Sequence, residues 1–370
     1  MFGRIFHNIF ATSRRREIGV ENFNHCSSIC QHGDGTMLAW YSGSGECRDD
    51  QSVYISFCNA KGEYTDPVRV GDKTGNPVIW SHRGHIYLLW SKFEDTGDIR
   101  SIVDRWKFCS LWIQRVELQD EITLVDEPVM IASPESHLLG RCNPLFLGQT
   151  SWSTDEGPGT LHADSACDYL LPLYDEVTRN GVIYKVRIDD VTENQLDPVH
   201  KRVIHTTRTG NIGIDMIQPT LWLGKAVLPS YPQRVHSLSR NFGAKTFRRT
   251  RCKYCYSDDS GETWSEPQET DIPNRNSSLH AIHYNGYDLL LWNDTNGLSR
   301  INLRLGKLSF IDDIPEVEMI ATIGEAGGYP SMCVDAADNL HMTFSNRKRK
   351  IEHHVWNTKQ FDTISQRNIS

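Results

Sequence analysis

Six residues able to hydrogen-bond a polar ligand or carry a proton recur in one local setting: His25, Asn76, Asn143, Gln218, Asn276 and Tyr329. Each heads a short apolar run, and in most copies the next residue is Pro or small, as in NPVIW, NPLFL, QPTLW, NSSLH and YPSMC. Imidazole, phenol and amide groups suit hydroxyl-rich ligands and proton transfer. A second set closes the apolar run that follows: Tyr41, Lys92, Tyr174, Asp175, Glu176, Arg234, Asn293, Asp294, Asn346 and Arg347. Asn and Asp at strand ends also cap turns. Six heads of one kind nonetheless point to a shared place.

What must position them is a repeated unit. HCSSICQHGDGTMLAWYSG from His25 and NSSLHAIHYNGYDLLLWND from Asn276 each read as strand, turn, strand. The other four copies start at Asn76, Asn143, Gln218 and Tyr329, and the starts lie 51, 67, 75, 58 and 53 residues apart. A more polar strand pair follows, as in SVYISFCNAKGEYTDPVRV. Four short strands per repeat, six times over, predict an all-β six-bladed propeller of four-stranded antiparallel blades over residues 19–370. In that geometry the heads of the first strands and the tails of the second meet at one rim of the central channel.

Composition narrows the function. The 370-residue chain is 38% hydrophobic and 23% charged, a globular balance. Its net charge of −8 argues against nucleic-acid binding, which needs a basic footprint. No run of about 18 apolar residues is present to cross a membrane. Cys252 and Cys255 form a lone CxxC among ten cysteines; strand spacing points them to opposite faces, so free thiols in a reducing compartment are expected. Asn276, Asn293 and Asn368 head glycosylation sequons, and glycans on the first two would block the rim. Residues 1–18 differ in kind. Phe2, Ile5, Phe6, Ile9 and Phe10 form one helical stripe ahead of Arg14, Arg15 and Arg16. The reading is a short basic amphipathic helix, with residues 1–16 lying on an anionic membrane surface or docked on the domain; an organelle transit peptide is a third option. A cytoplasmic protein, peripheral at a membrane, is the expected setting.

The stretch YSDDSGETWSEP, residues 256–267, resembles the Asp-box, S-x-D-x-G-x-x-W, of sialidases and other bacterial-neuraminidase-repeat proteins. NAKGEYTDP, residues 59–67, looks like a decayed copy. GNPVIW, IQPTLW, PNRNSSLHAI and GGYPSM are most similar to the predicted-neuraminidase branch, and the likeness runs from about residue 25 to 356. The Asp-box marks an outer hairpin, with Ser257 and Asp259 as turn caps. The resemblance implies further roles. Arg234 and Arg300 would stand as two of three arginines that clamp a substrate carboxylate, and His25 occupies the region of the first. Asp50, with Asp49 beside it, would be the acid/base. Tyr329 would be the nucleophile. Gln218 stands where a glutamate normally activates that tyrosine, with Glu176 as the nearby replacement.

Three activities follow from this reading. One is exo-hydrolysis of a terminal acidic sugar, sialic or related, from a glycoconjugate or glycolipid. Another is elimination on a uronic acid, using Asn76, Asn143, His25, His280 and Tyr174. The third is binding of a glycan or a protein without turnover. Of the basic run 347–350, Arg347 alone is placed to meet a ligand. No cofactor and no metal are expected.

Overall fold

The computed structural model describes residues 14–95, 97, 99–147, 169–192, 200–224, 234–242, 250–274, 276–295 and 299–367. It is a six-bladed propeller of antiparallel sheets. Blade 1 comprises Phe23–His32, Gly35–Gly43, Ser52–Cys58 and Val68–Asp72. Blade 2 comprises Thr74–His82, His85–Phe93, Cys109–Leu118 and Ile122–Ala132. Blade 3 opens with two short pieces, Leu138–Gly140 and Leu145–Phe146. Both pair with Tyr169–Asp175, and Asn180–Thr192 and His200–Ile214 follow. Blade 4 comprises Met216–Leu223, Val235–Asn241, Arg251–Ser257 and Gln268–Pro273. Blade 5 comprises His280–Tyr284, Tyr287–Asn293, Leu303–Ile311 and Ile314–Gly324.

Blade 6 takes Gly327–Val334, Leu340–Asn346 and Lys350–Trp356, and its outermost strand is Arg14–Ile18. Arg14 pairs with Val355 and Ile18 with Ile351. The basic end of the expected amphipathic helix is thus a strand, and the propeller reaches back across the expected boundary at residue 18. The open edge of the last blade supplies unpaired backbone groups that capture it. Residues 1–13, with the apolar stripe, lie outside the described residues.

Side chains alternate along each strand, so every blade presents one face to each neighbour. The hydrophobic core is accordingly a set of inter-blade layers. Val78, Leu89 and Ile113 meet Leu171, Leu173 and Val182 between blades 2 and 3. Trp222 and Leu238 meet Leu290 and Trp292 between blades 4 and 5. Cys252 lies in that layer, whereas Cys255 lies in the layer between blades 3 and 4. Three residues apart on a strand, they face opposite ways, as expected, and both are buried free thiols. A helix absent from the sequence reading, Thr358–Arg367, caps the layer between blades 5 and 6 with Phe361 and Ile364. Asn357 and Gln360 start it by reciprocal side-chain to backbone hydrogen bonds, a capping box.

The Asp-box forms the outer hairpin of blade 4. Asp259 Oδ1 accepts from the Thr263 amide at 2.8 Å, and Ser257 Oγ accepts from the Gly261 amide at 2.8 Å. Gly261 has φ +86° and a Cβ there would lie 2.7 Å from Leu170, so only glycine fits. Trp264 packs into the layer between blades 3 and 4. The decayed copy works alike: Asn59 Oδ1 accepts from the Glu63 amide at 3.0 Å, with Tyr64 at the tryptophan's offset.

Candidate functional site

Five blades place a left-handed residue at the same point, within the innermost strand in four of them and just ahead of it in blade 5. Cys26, Asn76, Gln218, Asn276 and Tyr329 all have positive φ, between 43° and 60°. In four of them two residues oppose one across the hairpin, a bulge that breaks register between His25 and Ser28, Gly75 and Val78, Ile217 and Thr220, and Gly328 and Ser331. Bulges re-aim side chains, and a non-glycine residue held left-handed costs on the order of 1–3 kcal/mol. Pro77, Pro219 and Pro330 follow three of these residues and bar the right-handed helical region before them. These strained residues ring the head of the channel, and the polar cluster they carry there, hereafter the chamber, is packed with side chains and largely buried. Blade 1 presents Cys26 at this point; His25, expected there, is one residue early.

Tyr329 is the centre of the chamber. Its hydroxyl accepts from Arg240 Nη1 at 3.2 Å and from Gln218 Nε2 at 3.5 Å. Arg300 lies over one side of its ring with Cζ 4.7 Å from the centroid, and Arg141 Cζ is 5.4 Å away. The His25 ring packs against it at 4.3 Å between centroids. Burial alone would raise the phenol's pKa. The Arg300 and Arg240 charges, with the Gln218 hydrogen bond, outweigh burial and hold it below the ordinary value. Gln218 Nε2 also donates to Tyr174 at 3.3 Å, and its Oε1 accepts from Arg240 at 3.0 Å. Arg240 Nε donates to the Asn276 side chain, and Arg300 Nη2 to the Asn276 carbonyl at 3.5 Å. Cys26 donates to Asn76 Oδ1 at 3.3 Å. His25 bonds Ser345 through Nδ1 at 2.8 Å, while its Nε2 is buried without a partner. Desolvation first, then the charges of Lys348, Arg300 and Arg141, keep that imidazole neutral.

Arg234 does not reach this chamber. It pairs with Asp258 at 2.7 Å and Asp313 at 2.8 Å, at the far end of the hairpin. The sequence reading ended the second strand of blade 4 at Arg234. In the structure that strand begins after it, at Val235, and Arg240, opposite Ile217, is the arginine beside Gln218. Arg240 and Arg141 were both missed. Arg141 is buried and donates to the carbonyls of Ser27 and Pro330, tying blade 3 to blades 1 and 6 across the channel.

The remaining predicted residues divide. Asn143 ties blades together, holding the Ile29 and Ile79 carbonyls and accepting from Ser28 at 2.9 Å. His280 accepts from the Met332 amide at 3.0 Å, and burial pushes its pKa down to about 3, so its ring is a structural acceptor. Asp49 pairs with Arg105 at 3.0 Å, and Asp50 caps Ser44 through two bonds of 2.9 Å. The carboxylate of their loop whose charge reaches Tyr329 is Glu46, which pairs with Lys348 at 2.5 Å. Glu176 is largely desolvated, which raises its pKa against the pull of Arg179 and Arg240. Arg347 is exposed at a turn outside the chamber. Asn293 is fully buried, holding Gly327 and Ser277, so no glycan fits there. Among the described residues no cluster could hold a metal ion.

Six four-stranded antiparallel blades around one channel define a fold class, the sialidase-like propeller, and comparison with solved structures agrees. A Hadza microbial sialidase superposes with TM-score 0.62 at 13% identity, covering 91% of this chain and 66% of that one. A Trypanosoma rangeli sialidase mutant displaying trans-sialidase activity gives 0.60 at 11%, covering 93% and 55%. The T. rangeli sialidase in complex with the inhibitor DANA gives 0.59 at 12%, covering 94% and 57%. This chain therefore spans less than two thirds of each. At such identities the likeness is one of fold. Within the class, residues 169–342 match the family described as BNR repeat-like domain. A comparison with curated proteins finds no match.

Proposed function

We propose that the chain is a sialidase-like exo-glycoside hydrolase acting on a terminal acidic sugar of a glycoconjugate. One observation carries the reading: the Tyr329 phenol is buried between Arg240 and Arg300, which favour its ionised form. The two guanidiniums suit a sugar carboxylate, and His25 Nε2 is a further buried polar atom with no partner. The Tyr329 oxygen would attack the anomeric carbon as the glycosidic bond breaks, its electron pair leaving on the aglycone oxygen. A carboxylic acid would protonate that oxygen, and Glu46, whose negative charge acts on Tyr329, is the carboxylate we assign to it. Water would then attack the anomeric carbon, returning the bond electrons to Tyr329 and its proton to the carboxylate.

Binding without turnover is favoured by a different observation. Among the described residues no carboxylate hydrogen-bonds Tyr329; Gln218 stands there and takes no proton. One experiment separates the readings. Purified protein is incubated with a panel of sialylated and other acidic glycoconjugates, and released monosaccharide is separated and quantified. Hydrolysis predicts release that falls at least about 100-fold in Tyr329→Phe. Release by neither protein, with free sialic acid still bound by wild type and lost in Arg300→Gln, would leave binding alone. No release and no binding would remove both readings.

A further inference from the structure

We propose that a second cleft, beside the chamber between blades 5 and 6, binds the anionic group, carboxylate or phosphate, of a sugar residue. The cleft encloses about 820 Å³. Its walls are the link from blade 5 into the Tyr329 strand, residues 322–326, and the hairpin turn after Leu340–Asn346. It therefore opens on the same face as the chamber. The proposal goes beyond the hydrolase reading and stands whether or not Tyr329 is a nucleophile.

Charge is the first argument. Arg15, Arg347, Arg349 and Lys350 line the cleft against two carboxylates, Glu325 and Glu352. Glu352 is buried and already held by Arg15 at 2.7 Å, by Asn346 and by His354 at 3.2 Å. Lys350 is committed to Glu17. Arg347 and Arg349 are exposed, and neither has a carboxylate partner among the described residues. Trp356 lines the cleft at the other end of the hairpin, opposite Leu340, away from the two arginines.

Backbone strain is the second argument. The turn spans residues 347–349, with Asn346 paired to Lys350, and is closed by the Arg349 amide donating to the Asn346 carbonyl at 2.9 Å. Its central residues, Arg347 at φ 50° and Lys348 at φ 57°, are both left-handed. Left-handed positions favour Gly or Asn, so arginine and lysine here work against local stability. Each long side chain serves a different site: Lys348 pairs with Glu46 at the chamber, and Arg347 lines the cleft. Two guanidiniums without a carboxylate partner, side by side at one end of the cleft, suit an oxyanion, which planar guanidinium groups bind bidentately.

The test is titration calorimetry on the full chain at low salt. The probes are galacturonic acid for a carboxylate, glucose 6-phosphate for a phosphate and galactose as the neutral control. At least one charged probe should bind wild type and Arg300→Gln alike, and bind Arg347→Gln/Arg349→Gln at least tenfold more weakly; which charged probe binds identifies the anion. Arg347→Asn should raise Tm, because Asn accepts the left-handed position, while still weakening the same probe. The proposal is overturned if neither charged probe binds at millimolar concentration, if galactose binds as well as they do, or if the double variant binds like wild type. Loss of binding in Arg300→Gln alone would assign the sugar to the chamber and also overturn it.

Discussion

Tyr329, Arg240, Arg300 and Gln218 form one electrostatic unit, and their behaviour follows from which charges face the phenol. Two arginines hold its pKa below the ordinary value, so phenolate should appear at lower pH than for a free tyrosine. An ultraviolet difference titration of wild type against Tyr329→Phe should show this, and Arg300→Gln should move the transition to higher pH. An unmoved transition would mean that the arginine charge is screened from the ring. Gln218 is the second test. Gln218→Glu places a carboxylate on the Tyr329 hydroxyl, within reach of Arg240, and should raise any hydrolytic rate if proton removal limits it. The same change should raise the phenol pKa, because a negative charge opposes phenolate. For Glu46, replacement by Gln should lower the rate at saturating substrate, whereas Asp50→Asn should leave it near wild type, since Asp50 caps Ser44.

At the scale of elements, the Asp-box and the closing strand carry stability, not chemistry. Asp259→Ala removes the acceptor of the Thr263 amide and hydroxyl, and should cost about 1–2 kcal/mol in chemical denaturation. Sugar binding in the chamber should be unchanged; a loss there would contradict the remoteness of this hairpin. Removing residues through Ile18 exposes the edge of Lys350–Trp356 and also takes Arg15 from Glu352. Such a protein should unfold at lower temperature and aggregate more readily, as an open edge does.

The whole ring closes where blade 6 meets blade 1, and a hydrogen-bonded chain spans that seam. Tyr64 of blade 1 meets His353 at 2.7 Å, His353 meets His341 at 2.9 Å, and His341 meets Asp335 at 3.0 Å. With both rings neutral, each donor faces an acceptor. Desolvation keeps both below the ordinary histidine value of 6.5, and His25 and His280 are lowered too. A histidine whose folded pKa is depressed binds fewer protons folded than unfolded, so its stabilisation is lost as pH falls below 6.5. Tm should therefore drop between about pH 7 and about pH 5. A flat profile there would show that these rings are not held neutral.

What the sequence determined by itself was local and repetitive: the period-two strands, the six heads of the inner runs, the Asp-box, the outward split of Cys252 and Cys255. Each depends on residues near in the chain, so each was legible there, and Tyr329, Gln218, Asn276 and Tyr174 came together as their repeat positions implied. The tertiary structure decided which charged side chains join them. The second strand of blade 4 starts at Val235, past the Arg234 at which the repeat pattern ends it, so Arg240 replaces Arg234 beside Gln218. Arg141 enters the channel from the break in the inner strand of blade 3, ahead of the repeat head Asn143, and Arg14–Ile18 is a strand only because the last blade offers it an edge. A strand's register is fixed by partners far along the chain, and a shift of a few residues there moves a charge from one end of a blade to the other.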